Sequence, residues 1–186
     1  DVEGMDAARK IGILAGLAFG ENVKPEEIHV EGITQVTTTD AAFADAGGMK
    51  IKLLGRALVQ DGKKFVFVSP HMVPGDQVLA AVGGVFNAIT VQGDQVGEVL
   101  FYGPGAGRYP TASAVVADII DIVQHPGREQ PTGWEATGGK PECYHEFTAR
   151  WYIRTKQSPE AVEAKLGPVA WLAEQEGYYG GLTAVM

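Results

Sequence analysis

Cysteine is nearly missing from this chain: among 186 residues only Cys143 carries a thiol. A single thiol cannot close an intrachain disulfide, so a reducing, cytoplasmic setting is expected. Long apolar runs are missing too. The longest near the start, residues 11–19, is interrupted by glycines and falls short of the ~18 residues that span a bilayer, which excludes a membrane span. No basic amphipathic stretch points to a membrane surface. Positive charge is scarce, with 15 Lys+Arg against 23 Asp+Glu and a net charge of -8. Nucleic-acid binders carry a clustered basic face, so that class is excluded as well. His29, His71, His125 and His145 have no metal-ligand spacing with Cys143. No metal site is expected, and each is read as a surface or satisfied core histidine. The start, Asp1-Val2-Glu3-Gly4, lacks both an initiator Met and the basic region of a signal peptide. The chain stops at Met186 after an apolar run, and the expectation is a fragment of a longer protein.

What is present is ordinary for a globular chain. Hydrophobic residues make up 45% and mean hydropathy is -0.01, which rules out disorder. The length allows one domain, or one with a small second. Apolar spacing predicts a helix over 6–19, ended by Gly20. A short helical turn is expected at 25–28, and a second helix from a cap at Thr38 or Thr39 to Ala46, stopped by Gly47 and Gly48. Alternation then predicts a strand from Met49 to about Val59. Asp61-Gly62 is a strong hairpin turn, with a returning strand through Phe65–Val68 ended by Pro70 and Pro74. Strands are expected over 86–91 and 97–102, with Gly93-Asp94 between them. A helix capped by Thr111 then runs to the stop at Pro126-Gly127. Residues 126–141, rich in Gly, Pro, Thr and Glu, read as a linker. Beyond it a strand over 146–154, a helix from Ser158 or Pro159 to about Gln175, and a last strand from Leu182 make a β-α-β unit. The fold class expected is α+β: a mixed β-sheet with helices on one face, followed by a partial β-α-β segment.

Two places can carry chemistry. Asp6 and Lys10 are four apart on the first helix and share a face. From spacing alone they are an exposed ion pair. The functional alternative has Lys10 deliver a proton to a substrate oxygen while Asp6 holds a cationic substrate group or orients the lysine. Gly103-Pro104-Gly105-Ala106-Gly107 lies between a strand and a helix, where glycines admit a ligand to the backbone and a helix start offers N–H groups to an anion. It matches neither GxGxxG nor GxxxxGK[ST], so alone it reads as a connector. Asn87 fits a turn-fixing role or a ligand contact equally well.

Taken together, these residues resemble a family. Asp1-Val2-Glu3-Gly4-Met5-Asp6-Ala7-Ala8-Arg9-Lys10 with Ile13-Leu14-Ala15, then Gly83-Val85-Phe86-Asn87-Ala88 with Gly93-Asp94 and Gly97, then Gly103-Pro104-Gly105-Ala106-Gly107 with Pro110-Thr111-Ala112-Ser113-Ala114-Val115-Val116-Ala117-Asp118, resemble the substrate domain of homoserine dehydrogenase, in order, over residues 1–124. The resemblance implies interconversion of L-homoserine and L-aspartate 4-semialdehyde with NAD or NADP, in threonine and methionine biosynthesis. It implies Lys10 as proton donor, Asp6 and Asp1 as substrate-binding carboxylates, and Gly107, flanked by Gly105 and Ala106, at the nicotinamide end of the cofactor. It implies a homodimer. Residues 1–125 are then the catalytic domain, 126–145 a linker, and 146–186 the start of an ACT-like regulatory domain with an allosteric amino acid as its effector.

The departures are as specific. The nucleotide-binding domain of the family, with its second lysine, and the segment before Asp1, with a substrate-binding glutamate, are absent from this sequence. The isolated chain is therefore expected to be inactive and to bind NAD(P) only weakly. Where the regulatory domain commonly has Asp-x-Pro-Gly-Val, this chain has Gln157-Ser158-Pro159-Glu160-Ala161-Val162. Two other readings stand beside the leading one: a non-catalytic amino-acid-sensing or dimerisation module on the same scaffold, and the substrate domain of another amino-acid dehydrogenase.

Overall fold

The computed structural model describes residues 2–128, 133–134 and 138–186. By packing, the chain divides into two compact units, residues 1–75 with 132–186, and residues 76–131.

The first unit opens with α1, Met5–Phe19, which leaves Gly4 at a φ of 82° and ends at Gly20. A 3-10 turn, Pro25–Glu27, leads to β1, His29–Val30. Helix α2, Thr38–Ala46, is capped by Thr37 rather than Thr38 or Thr39. Thr37 and Asp40 form a reciprocal capping box, each side chain bonded to the other's backbone N–H. Strands β2, Met49–Gln60, and β3, Lys63–Pro74, form a twelve-rung antiparallel hairpin. Its turn residues Asp61 and Gly62 both have positive φ, 51° and 78°. That is the backbone an Asp-Gly hairpin turn requires. Contrary to the expectation from the sequence, Pro70 does not end β3; it pairs with Leu53 and the strand continues to Pro74, which does end it. The reason is local: among the described residues β1 pairs only with Phe67 and Val68 of β3. Past them β3 has an open edge, where a missing N–H is tolerated.

The sheet order is β1-β3-β2, with β1 parallel and β2 antiparallel to β3. Alternation along β3 sends Val66 and Val68 to one face and Phe65 and Phe67 to the other, and all four are buried. The valine face receives α1 through Ala8 and Ala15, with Val23 and Ile28. The phenylalanine face packs against Phe147, Tyr144 and Ala149. The mixed sheet with helices on it is the expected α+β architecture.

The end of the chain departs from expectation. Residues 144–146 form a 3-10 turn, and β6 begins only at Arg150, running to Thr155. Helix α5, Pro159–Leu166, is capped by Ser158 but stops at Gly167, well short of Gln175. Gly167 (φ 77°) followed by Pro168 ends it. Strands β7, Val169–Gln175, and β8, Tyr178–Val185, follow in an antiparallel sheet of order β6-β8-β7. The segment is β-α-β-β rather than β-α-β.

The second unit contains a short helix α3, Val78–Ala81, a hairpin of β4, Phe86–Gly93, and β5, Gly97–Pro104, and helix α4, Arg108–Gln124. Thr111 does not cap α4. The helix starts one turn earlier at Gly107, and the Thr111 N–H donates to the Gly107 carbonyl at 3.1 Å. Pro110 is accommodated because first-turn N–H groups have no intrahelical partner. The linker expected over 126–145 falls partly outside the described residues.

Candidate functional site

Helix α1 buries Ala8, Gly12, Ala15 and Gly16, one face of small residues. The sheet approaches so closely that a Cβ on Gly55 would press on Ile11. The opposite stripe, Asp6, Lys10, Ile13 and Leu17, faces solvent. On it Lys10 Nζ and Asp6 Oδ2 pair at 2.5 Å, with side chains 60% and 51% exposed. The pair predicted from spacing therefore exists, at the start of a helix whose other face is fixed to the sheet. The residues before α1 are fixed as well: Ile33 N donates to Val2 O at 2.8 Å, and Gly4 lies buried against Val30 and Val68. An ammonium held near a carboxylate, open on one side, can meet a ligand oxygen and give it a proton. Asp1 lies outside the described residues.

The glycine-rich loop belongs to the second unit and is described by itself. Gly105 N donates to Val85 O at 3.1 Å. A Cβ on Gly105 would run into the Asn87 amide, so Asn87 shapes the loop rather than standing free beside it. Gly107 has a φ of 115°, a backbone that residues with a Cβ rarely adopt. It precedes α4 with no side-chain cap. The first N–H groups of α4 and a loop without side chains at Gly105 and Gly107 leave backbone donors open to an anionic or amide group. Ala106 sits between them.

Several side chains escaped the sequence reading. His29 stacks on Tyr144 with centroids 4.0 Å apart, and its Nε2 is buried with no partner among the described residues. The reading of His29 as a surface or satisfied histidine is thereby corrected. Burial lowers its pKa, only partly offset by Glu31. His71 bonds the Ser69 carbonyl through Nδ1 at 2.8 Å, and burial again lowers its pKa. Arg56 lies over Phe67 and Phe147, 5.9 and 5.6 Å from their centroids. Buried Asp40 accepts hydrogen bonds from half-buried Tyr152 and from exposed Arg154. Among the described residues, no cluster of three or more His, Cys, Asp or Glu is placed to hold a metal ion. No helix among them is long and apolar enough to cross a membrane.

Comparison with known proteins adds a family to this geometry. Residues 1–120 match the family model described as homoserine dehydrogenase. The homoserine dehydrogenase of Pseudomonas aeruginosa is 48% identical over 124 residues, covering 67% of this chain and 29% of the relative. That of Bacillus subtilis is 37% identical over 185 residues, covering 100% of this chain and 40% of the relative. Among solved structures, a homoserine dehydrogenase from Thiobacillus denitrificans superposes with a TM-score of 0.83 at 34% identity, over 100% of this chain and 47% of the other. A hyperthermophilic archaeal homoserine dehydrogenase mutant in complex with NADPH gives a TM-score of 0.51 at 34% identity, over 69% of this chain and 36% of the other. The chain thus spans less than half the length of each of these relatives.

Proposed function

The chain belongs to the homoserine dehydrogenase family, and from that premise we propose that it is the substrate-binding and catalytic part of an enzyme interconverting L-homoserine and L-aspartate 4-semialdehyde. The observation that carries the reading is the Lys10–Asp6 pair, exposed on the anchored first helix and inside the stretch that matches the family.

The nicotinamide cofactor, NAD or NADP, supplies or accepts the hydride when bound. The residues of this chain handle the charge and the proton. As hydride adds to the aldehyde carbon, the carbonyl electron pair moves onto oxygen. The Lys10 ammonium offsets that charge and delivers its proton, leaving a neutral amine and the alcohol. In the oxidising direction the neutral Lys10 amine takes the hydroxyl proton. Asp6 orients Lys10 or receives the substrate ammonium, and Asp1 supplies a second carboxylate to the substrate. Gly107, with Gly105 and Ala106, lets the backbone approach the nicotinamide end, and the N-terminus of α4 offers its N–H groups there. Residues 1–125 form the catalytic part, 126–145 a linker and 146–186 part of an ACT-like domain open to an amino-acid effector. The parent enzyme is a cytoplasmic homodimer.

The test is Lys10→Ala in the full-length parent. It lowers kcat by about 10²–10⁴ while circular dichroism stays that of the wild type. Turnover near the wild-type value would remove Lys10 from the mechanism.

A further inference from the structure

Asp40 lies in the first turn of α2, and only 5% of it is exposed. Its Oδ2 accepts from Thr37 N at 2.7 Å, Thr37 Oγ1 at 2.8 Å and Arg154 at 2.5 Å. Its Oδ1 accepts the Tyr152 hydroxyl at 2.6 Å. Four donors meet the carboxylate, three at Oδ2 and one at Oδ1. Two donors are the helix's own cap, while Tyr152 and Arg154 come from β6, 112 and 114 positions further along. The Arg154 guanidinium also reaches Thr37 Oγ1 and lies 5.6 Å from the Tyr178 ring centroid. One buried charge therefore closes the start of α2 and fastens the β6–β8 module to it.

The contacts continue on both sides of α2. Phe43 packs on Gly180 of β8, and Gly47 meets Leu172 of β7. Ala41 and Ala44 line a cleft of about 490 Å³ with Ile51 and Leu53 of β2. Leu53 packs into the cluster that holds Ala8 of α1, and Gly55 of β2 touches Ile11 of α1. Helix α2 is a physical bridge between the carboxy-terminal module and the strand beneath α1.

We propose that the Asp40–Tyr152–Arg154 joint is a latch, through which β6 and the first turn of α2 open and close as one unit. The proposal rests on the geometry of this unit and not on the role assigned to Lys10.

Hydrogen exchange by mass spectrometry on the full-length parent tests it. Tyr152→Phe removes one donor and no volume of packing. Amides of residues 38–46 and of 150–155 then exchange faster together, by roughly tenfold or more. Lys63→Ala, which breaks the exposed Lys63–Glu146 pair at 2.5 Å, changes neither stretch by more than about twofold. The double variant Asp40→Asn/Tyr152→Phe is less perturbed than the sum of its parts. Faster exchange in β6 alone, unchanged exchange in both stretches, or additive effects would each overturn the latch. If Tyr152→Phe fails to fold, Arg154→Lys is read by the same outcomes.

Discussion

Lys10 and Asp40 show how differently two charged residues of one unit are used. Lys10 pairs with Asp6 in the open, 60% and 51% exposed, and water screens such a pair. Exposed i,i+4 pairs contribute about 0.3–0.5 kcal/mol. Lys10→Ala therefore leaves the melting temperature within about 2 °C of wild type by calorimetry, although turnover of the parent collapses. A loss of several degrees would assign Lys10 to the scaffold. Asp40 is the reverse case. Burial works against its charge, but hydrogen bonds from Tyr152 and Thr37, with the charge of Arg154, outweigh it and hold its pKa below the usual 3.8. The same pairing, together with burial as the largest cause, pushes the Tyr152 hydroxyl up. A carboxylate with a depressed folded-state pKa stabilises the fold above its unfolded value. That stability is lost as pH falls through the folded value. Urea unfolding at stepped pH should thus show stability falling below about pH 4 in the wild type. Asp40→Asn should be less stable by roughly 2–4 kcal/mol at pH 7, with a flatter acid limb. An acid limb as steep as the wild type's in Asp40→Asn would place the titration elsewhere.

At the scale of elements, what decides the packing is how closely backbones meet. A Cβ on Gly180 would overlap the Phe43 ring, so α2 can sit on β8 only because position 180 has no side chain. Gly180→Ala forces the helix outward and costs about 1–3 kcal/mol in chemical denaturation. A neutral result would mean that α2 and β8 are not in contact in solution. Thr37→Ala removes one half of the capping box and an acceptor of Arg154, and costs about 0.5–2 kcal/mol. The glycine-rich loop obeys the same rule, with the Asn87 amide occupying the space beside Gly105.

At the scale of the whole molecule, the segment after residue 140 completes a core rather than trailing from it. Phe65 and Phe67 are 1% exposed, and Phe147, Tyr144 and Ala149 cover them. Truncation after residue 140 exposes this aromatic face, and dye binding by 1-anilinonaphthalene-8-sulfonate rises with it. A truncated chain that binds no more dye than the intact one would contradict this. In the second unit, Val115, Ile119, Ile122 and Val123 of α4 are each more than half exposed. An exposed apolar stripe of that kind is the mark of an interaction surface. This chain by itself should show no turnover of homoserine in a nicotinamide absorbance assay, and measurable turnover would contradict that expectation.

The sequence alone determined the local elements and the chemistry-bearing residues of the opening helix. Period-3.6 spacing placed α1, alternation and Asp-Gly placed the β2–β3 hairpin, and a four-residue step put Asp6 beside Lys10, because each depends on neighbours a few positions away. Tertiary structure decided the rest. Pro70 stays in a strand because β1 is short, and α5 yields to β7 because Gly167 and Pro168 end it and β8 offers a partner. Asp40 meets Tyr152 and Arg154 only because folding brings together residues more than a hundred positions apart. No periodicity encodes such a pairing: burial of one carboxylate and the donors that satisfy it exist only once the sheet and α2 have met.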